Sequence, residues 1–195
     1  MHKTRLRRVE RRTAVTDYWI YLLRDIYLRQ SKPQLGAESI KFFFPKGFTN
    51  KFVAHGIACE KRALNTFKKN TNFNVIEVSL MVCKYMPWLA YSPDGVIMEN
   101  KVPTSLLEIK CPYIGKEKGT EHFFDSCDYL TEVNGEVRLK NRHKYYAQVQ
   151  LGMALLNLRK TYFIVYSSFT DTYLQIVVPY NESFSTDLIN TVTNK

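Results

Sequence analysis

The chain has 195 residues, enough for one domain with a sizeable core, and 28 Lys and Arg against 18 Asp and Glu leave it at +10. Such an excess favours a polyanionic partner and predicts salt-sensitive binding to phosphate backbones. No run approaches the ~18 apolar residues of a bilayer span, residues 1–12 lack the apolar segment of a signal peptide, and Cys59, Cys83, Cys111 and Cys127 are scattered without close pairs. These features argue against a membrane protein, a disulfide scaffold and a zinc knuckle, and predict a soluble intracellular protein, nuclear or cytoplasmic, built as a single domain over 1–195.

In chain order, Lys3, Arg5, Arg7, Arg8, Arg11 and Arg12 against Glu10 make a basic arm of residues 1–14. It reads either as a DNA-contacting arm or as a solvated tail carrying a nuclear-import signal. A helical region is predicted around 15–29, then a loop rich in Lys, Pro and Gly. Residues 54–67 have helical periodicity, with Ile57, Leu64 and Phe67 on one stripe around Glu60. Glu60 is then either a tolerated acid at the rim of a packing face or a carboxylate aimed into a site. Strands are predicted near 75–85.

Ser92-Pro93-Asp94-Gly95 followed by Glu108-Ile109-Lys110 is the most informative stretch. Residues 95–98 and 105–110 read as two strands of a hairpin, with a turn over 100–104 that contains Pro103. Side chains alternate along a strand, so Leu106, Glu108 and Lys110 share one face and Leu107 and Ile109 the other. Carboxylates are the hard oxygen ligands that Mg2+ prefers, and an ammonium one alternate position beyond the second acid can hold an attacking water. Opposite charges nearby keep Lys110 protonated. The bland reading of Glu108 and Lys110 is a surface ion pair on an edge strand.

Residues 115–141 are irregular, with a tight turn suited to Asn134-Gly135. Residues 142–156 form a helix whose inward stripe is predicted to hold Tyr145, Gln148, Gly152 and Leu155. A glutamine on an apolar face needs partners, either a structural backbone bond or a water or phosphate oxygen in a site. Alternating strands follow at 161–168 and 173–179. Basic clusters at Lys61, Arg62, Lys68 and Lys69 and at Arg138, Lys140, Arg142, His143 and Lys144 read as phosphate grips or as ordinary solvent-facing residues. Trp88, Tyr91 and Tyr113 read as base-stacking or core aromatics. The element order supports an α/β fold with a mixed central β-sheet flanked by helices.

Taken together, Gly56…Glu60, Ser92-Pro93-Asp94-Gly95, Leu107-Glu108-Ile109-Lys110-Cys111-Pro112-Tyr113 and Tyr145-Tyr146-Ala147-Gln148-Val149-Gln150 resemble the lambda exonuclease or YqaJ-type viral recombinase family of the PD-(D/E)xK nucleases, in order over about residues 52–168. The resemblance implies a restriction-endonuclease-like core. It implies that Asp94, Glu108 and the backbone carbonyl of Ile109 ligate Mg2+, with Mn2+ able to substitute, and that Glu60 completes the metal environment. Lys110 would position or help deprotonate the water. Gln148 would contact that water or the scissile phosphate, with Tyr145 and Gln150 of the same motif on the substrate side.

The activity implied is hydrolysis of double-stranded DNA from a 5′ end. A single-strand annealing protein is an implied partner and a homo-oligomer an implied state. No clean counterpart of the family's N-terminal Arg and Ser/Thr-Ala-Ser phosphate-binding element precedes residue 50, and only 181–195 follow the last predicted strand, so neither 5′-phosphate recognition nor a trimer is implied. Two other readings are weighed: a structure-specific or nicking endonuclease of the same superfamily, and a non-catalytic DNA-binding module. Retention of Asp94, Glu108, Lys110 and Gln148 together argues against the module.

Overall fold

The computed structural model describes residues 50–83, 86 and 89–193. The basic arm, the helix expected around 15–29, the loop after it and Trp88 lie outside the described residues.

Helix α1 (Lys51–Thr71) begins where the Asn50 side chain accepts hydrogen bonds from the backbone N–H groups of Phe52 and Val53, both at 2.9 Å. It ends at Asn72, whose φ of 56° lets the chain turn away, with Lys68 and Lys69 beside the carbonyl end of the helix dipole. It therefore runs about a turn beyond 54–67 at either end.

Among the described residues, five strands form the main sheet, in the order β1 (Asn74–Ile76), β4 (Gly95–Glu99), β5 (Val102–Lys110), β8 (Lys160–Ser167) and β9 (Thr172–Pro179). Only β5 and β8 run parallel, Leu106 through Lys110 facing Thr161 through Val165; the other neighbours are antiparallel. The run expected as strands near 75–85 is divided. Its first part is β1, and its second, β2 (Met81–Val82), pairs with β3 (Ala90–Tyr91) in a separate ribbon. A second ribbon, β6 (Leu130–Val133) and β7 (Glu136–Leu139), closes through Asn134 and Gly135, both at positive φ, as the Asn-Gly pair predicts.

The β4–β5 hairpin is tighter than expected. Its turn is Asn100 and Lys101, at φ 51° and 65°, rather than 100–104. Positive φ at both central residues matches the right-handed twist of the strands. Pro103 lies inside β5 opposite Met98, where the register shifts after Ile97. Pairing with β8 starts only at Leu106, so the missing N–H of Pro103 removes no bond from that ladder.

The alternation along β5 divides the core into two layers. Leu107 and Ile109 pack with Ala63, Leu64 and Phe67 of α1, while Leu106 packs on the other side with Val149 and Met153 of α3 (Lys144–Leu156). Burying a side chain such as Phe67 or Phe163 contributes about 1.5–3 kcal/mol. Helix α3 is rotated from the expected phase, since Tyr146, Val149, Gln150, Gly152, Met153 and Leu156 are the buried residues and Tyr145, Gln148 and Leu155 are only partly covered. The short α2 (Phe123–Ser126) precedes β6, and α4 (Glu182–Thr193) packs against α3, with the rings of Tyr146 and Phe184 4.9 Å apart. None of the described helices is long and apolar enough to cross a membrane.

Candidate active site

Asp94 is the last residue before β4, and Gly95, which opens that strand, pairs with Leu107. Beyond that pair β5 has, among the described residues, no strand partner on the β4 side, and the N–H of Ile109 is donated to Asp94 Oδ2 at 2.6 Å. The N–H and C=O of one strand residue face the same neighbour, so the Ile109 carbonyl lies on the side of β5 where Asp94 sits.

Glu108 points the other way, toward α3, and is 1% exposed. Its Oε1 accepts from Lys110 Nζ at 2.6 Å and from Gln148 Nε2 at 2.7 Å, and its Oε2 accepts from the Tyr91 hydroxyl at 3.1 Å. Lys110 Nζ also stands 4.6 Å from the centre of the Tyr145 ring, which offers its negative face to the ammonium. Four expected site residues, Glu108, Lys110, Gln148 and Tyr145, are thus joined directly, and Asp94 adjoins them through Ile109. The surface ion pair on an edge strand does not describe Glu108 and Lys110, because the Glu108 carboxylate is buried and Lys110 is largely covered.

The electrostatics follow from this crowding. Burial first, then the Glu108 charge, pushes the Asp94 carboxyl from 3.8 up to about 7. Burial opposes the charge on Lys110, but Glu108 and Asp94 more than offset it, and its pKa is raised. Burial and then Glu108 hold the Tyr91 phenol well above 10.0, so it stays a donor. Cys111, beside Lys110 on the opposite strand face, is pushed up to about 12, by burial first and then by Cys59. That is a packing thiol rather than a nucleophile.

Two carboxylates and a strand carbonyl are hard oxygen donors, and a cation that keeps several waters needs no larger protein cage. The residues therefore fit Mg2+. Among the described residues, however, no three His, Cys, Asp or Glu side chains come together as a cation cage. Glu60 is exposed at the mouth of a cleft of about 390 Å3, lined also by Phe52, Gly56, Ile109, Lys110 and Tyr145. Its charge reaches Asp94 only as the weakest of the influences on that carboxyl. The acidic trio expected around one ion is, in the structure, a pair with a third acid standing off.

Ile57, expected on the buried stripe with Glu60, is 69% exposed. Among the described residues, the first half of α1 packs on Tyr113 through Phe52 and His55, a side of the helix away from Ile57, and full burial begins at Ala63. Gln150 is a second correction. It is fully buried, donates to the Pro179 carbonyl at 2.8 Å and accepts from the Asn181 N–H at 2.8 Å and the Ser185 hydroxyl at 3.4 Å. Two positions beyond Gln148 on a helix is the opposite face, so Gln150 anchors α4 and does not line the cleft.

Most members of the basic clusters are engaged in surface pairs. Lys61 and Lys68 meet Glu77, Arg62 meets Asp171, Arg138 meets Glu136, and Lys140 donates to the Asp128 carbonyl. At the cleft, Tyr113 is contacted by the rings of Phe52 and His55 and by the ammonium groups of Lys51 and Lys116. Sequence reading missed the bond from Tyr91 to Glu108. Gly152 carried the signal, because a glycine inside a helix calls for a close approach, and here a Cβ would stand 2.4 Å from the Tyr91 ring.

The mixed sheet thus has a hairpin that brings Asp94, Glu108 and Lys110 to one end of its strands, with helices packed on its faces. The chain belongs to the YqaJ-like viral recombinase domain family, whose model matches residues 9–159. Its fold is similar to that of an alkaline exonuclease (LHK-Exo) from Laribacter hongkongensis, with a TM-score of 0.59 at 20% identity over 78% of this chain and 71% of that one. The complex of LHK-Exo with dAMP matches equally, at 0.59 and 19% over 79% and 71%. A phage-related exonuclease from Haemophilus somnus gives 0.54 at 11% over 80% of this chain and 74% of that one. No curated protein matches the chain.

Proposed function

We propose that the chain is a Mg2+-dependent deoxyribonuclease that acts at the ends of double-stranded DNA, as a 5′-to-3′ exonuclease of recombination. The observation that carries this reading is the convergence of Lys110 and Gln148 on the buried Glu108, beside Asp94. Family membership and the exonuclease fold support it, as does the dAMP held by LHK-Exo, a mononucleotide such as an exonuclease would release.

Asp94, Glu108 and the Ile109 carbonyl would hold Mg2+, or Mn2+ in its place. The cation supplies a lowered pKa for water and a counter-charge for the phosphate. Lys110 remains an ammonium between its acids and the Tyr145 ring, so it orients the attacking water and stabilises charge rather than removing a proton. Gln148 donates its amide to the same water or to a phosphate oxygen. Glu60, at the cleft mouth, would act through water rather than by direct ligation. A single-strand annealing protein and assembly into a homo-oligomer belong to the same reading.

Digestion of end-labelled duplexes with a 5′ phosphate or 5′ hydroxyl, beside a closed circular plasmid, tests it. The reading requires metal-dependent release of mononucleotides from the 5′ end, abolished by EDTA and by Asp94→Ala. Cutting of closed circles would favour the endonuclease, and DNA binding with no cleavage would favour the non-catalytic module.

A further inference from the structure

The two oxygens of Glu108 keep different company. Oε1 receives Lys110, which lines the cleft, and Gln148 from α3, both only partly covered, whereas Oε2 receives the hydroxyl of Tyr91 from inside the core. Tyr91 is 5% exposed and packs with Leu106, Val149 and Met153. Its ring lies so close to α3 that a Cβ on Gly152 would meet Cε1 and Cζ at 2.4 Å and Leu106 Cδ1 at 2.9 Å. The ring is held by backbone on one side and by apolar side chains around it, so its hydroxyl has little freedom to leave Oε2.

We propose that Tyr91 is a positioning residue for the metal site: its hydroxyl pins Oε2 from the buried side, so that Oε1 is the oxygen offered to a divalent cation, in competition with Lys110 and Gln148. The inference rests on the reading of Asp94 and Glu108 as metal ligands. Oε2 keeps a second lone pair, but it is turned toward the core on the side of the Tyr91 ring, whereas a cation at Oε1 displaces the ammonium of Lys110 and the amide of Gln148, both on partly covered side chains. The same displacement frees Lys110 and Gln148 for water and phosphate. Groups that orient a ligand from behind typically change metal affinity by about 10–100-fold when removed.

The test is Mn2+ titration of the full chain, with free Mn2+ followed by electron paramagnetic resonance. Tyr91→Phe keeps the ring and removes the hydroxyl, and it should weaken Mn2+ binding about tenfold. Gln148→Ala also removes one hydrogen bond from Glu108, yet it should leave Mn2+ binding unchanged or tighten it, a difference that a general loosening of the fold would not produce. Should Tyr91→Phe fail to fold, Gly152→Ala displaces the ring instead and carries the same expectation. Binding by the Tyr91 or Gly152 variant within twofold of wild type, or equal weakening in Gln148→Ala, overturns the role of Tyr91. If wild type binds Mn2+, Glu108→Gln abolishes it and Tyr91→Phe does not matter, only this inference fails. If wild type binds none, the metal reading fails with it.

Discussion

Lys110 and Gln148, from a strand and from a helix, donate to the same carboxylate oxygen of Glu108 at 2.6 and 2.7 Å. Their roles separate by substitution. Lys110→Met should lower the single-turnover cleavage rate by about 100-fold or more, as loss of a preorganised donor does, with DNA binding changed only a few-fold. Gln148→Ala should lose about tenfold in rate. Rapid-quench kinetics with saturating enzyme checks both, and a Lys110 variant impaired only in binding would contradict the assignment.

Tyr145 supports Lys110 through its ring face, 4.6 Å from the ammonium. Tyr145→Phe keeps that face and should retain activity within about threefold, while Tyr145→Leu should lose about tenfold in rate, in keeping with ~1–2 kcal/mol for a partly desolvated cation–π contact. Equal losses in both would instead assign the role to the hydroxyl.

Asp94, pushed up to about 7 by burial and by Glu108, makes cation binding pH-dependent. The proton must leave before the carboxylate can ligate, so Mn2+ affinity should rise by up to about tenfold per pH unit below 7 and level off above it. Folding without metal runs the other way. The folded pKa lies above the ordinary value of 3.8, so the fold binds this proton more tightly than the unfolded chain does. The stability it adds is whole below about pH 4 and is lost as pH rises toward 7. Melting in EDTA across pH 4–8 should show that decline in wild type and a shallower one in Asp94→Asn. Parallel curves would contradict it.

Much of this site is legible in the sequence for a local reason. Period-two alternation in 105–110 puts Glu108 and Lys110 on one face whatever the rest of the chain does, and the Asn-Gly pair at 134–135 specifies its own turn. Helix phase is less local. Ile57 matches the periodicity yet is exposed, because burial depends on where α1 meets the sheet. Gln148 sits at the margin of its stripe for the same reason. Pro103 suggested a longer turn, since only the strand order reveals that its nitrogen faces no ladder partner. The Tyr91–Glu108 bond joins β3 to β5 across the core, and no spacing rule reaches it.

Gln150 shows how a motif residue can serve the fold. Both ends of its amide hold the segment leading into α4, so Gln150→Ala leaves the Pro179 carbonyl and the Asn181 N–H without that partner and opens a small cavity. A loss of about 2–4 kcal/mol in unfolding free energy is expected, with Mn2+ affinity unchanged in the folded fraction. Urea unfolding and Mn2+ titration of one preparation check it. Lost Mn2+ binding with stability intact would restore Gln150 to the site.

Anomalous diffraction from a crystal grown with Mn2+ tests the centre of the account. It should reveal a manganese peak touching Asp94, Glu108 Oε1 and the Ile109 carbonyl, with Lys110 and Gln148 moved off that oxygen and Tyr91 still on Oε2. Manganese bound elsewhere, or none between Asp94 and Glu108 at saturating concentration, would contradict it.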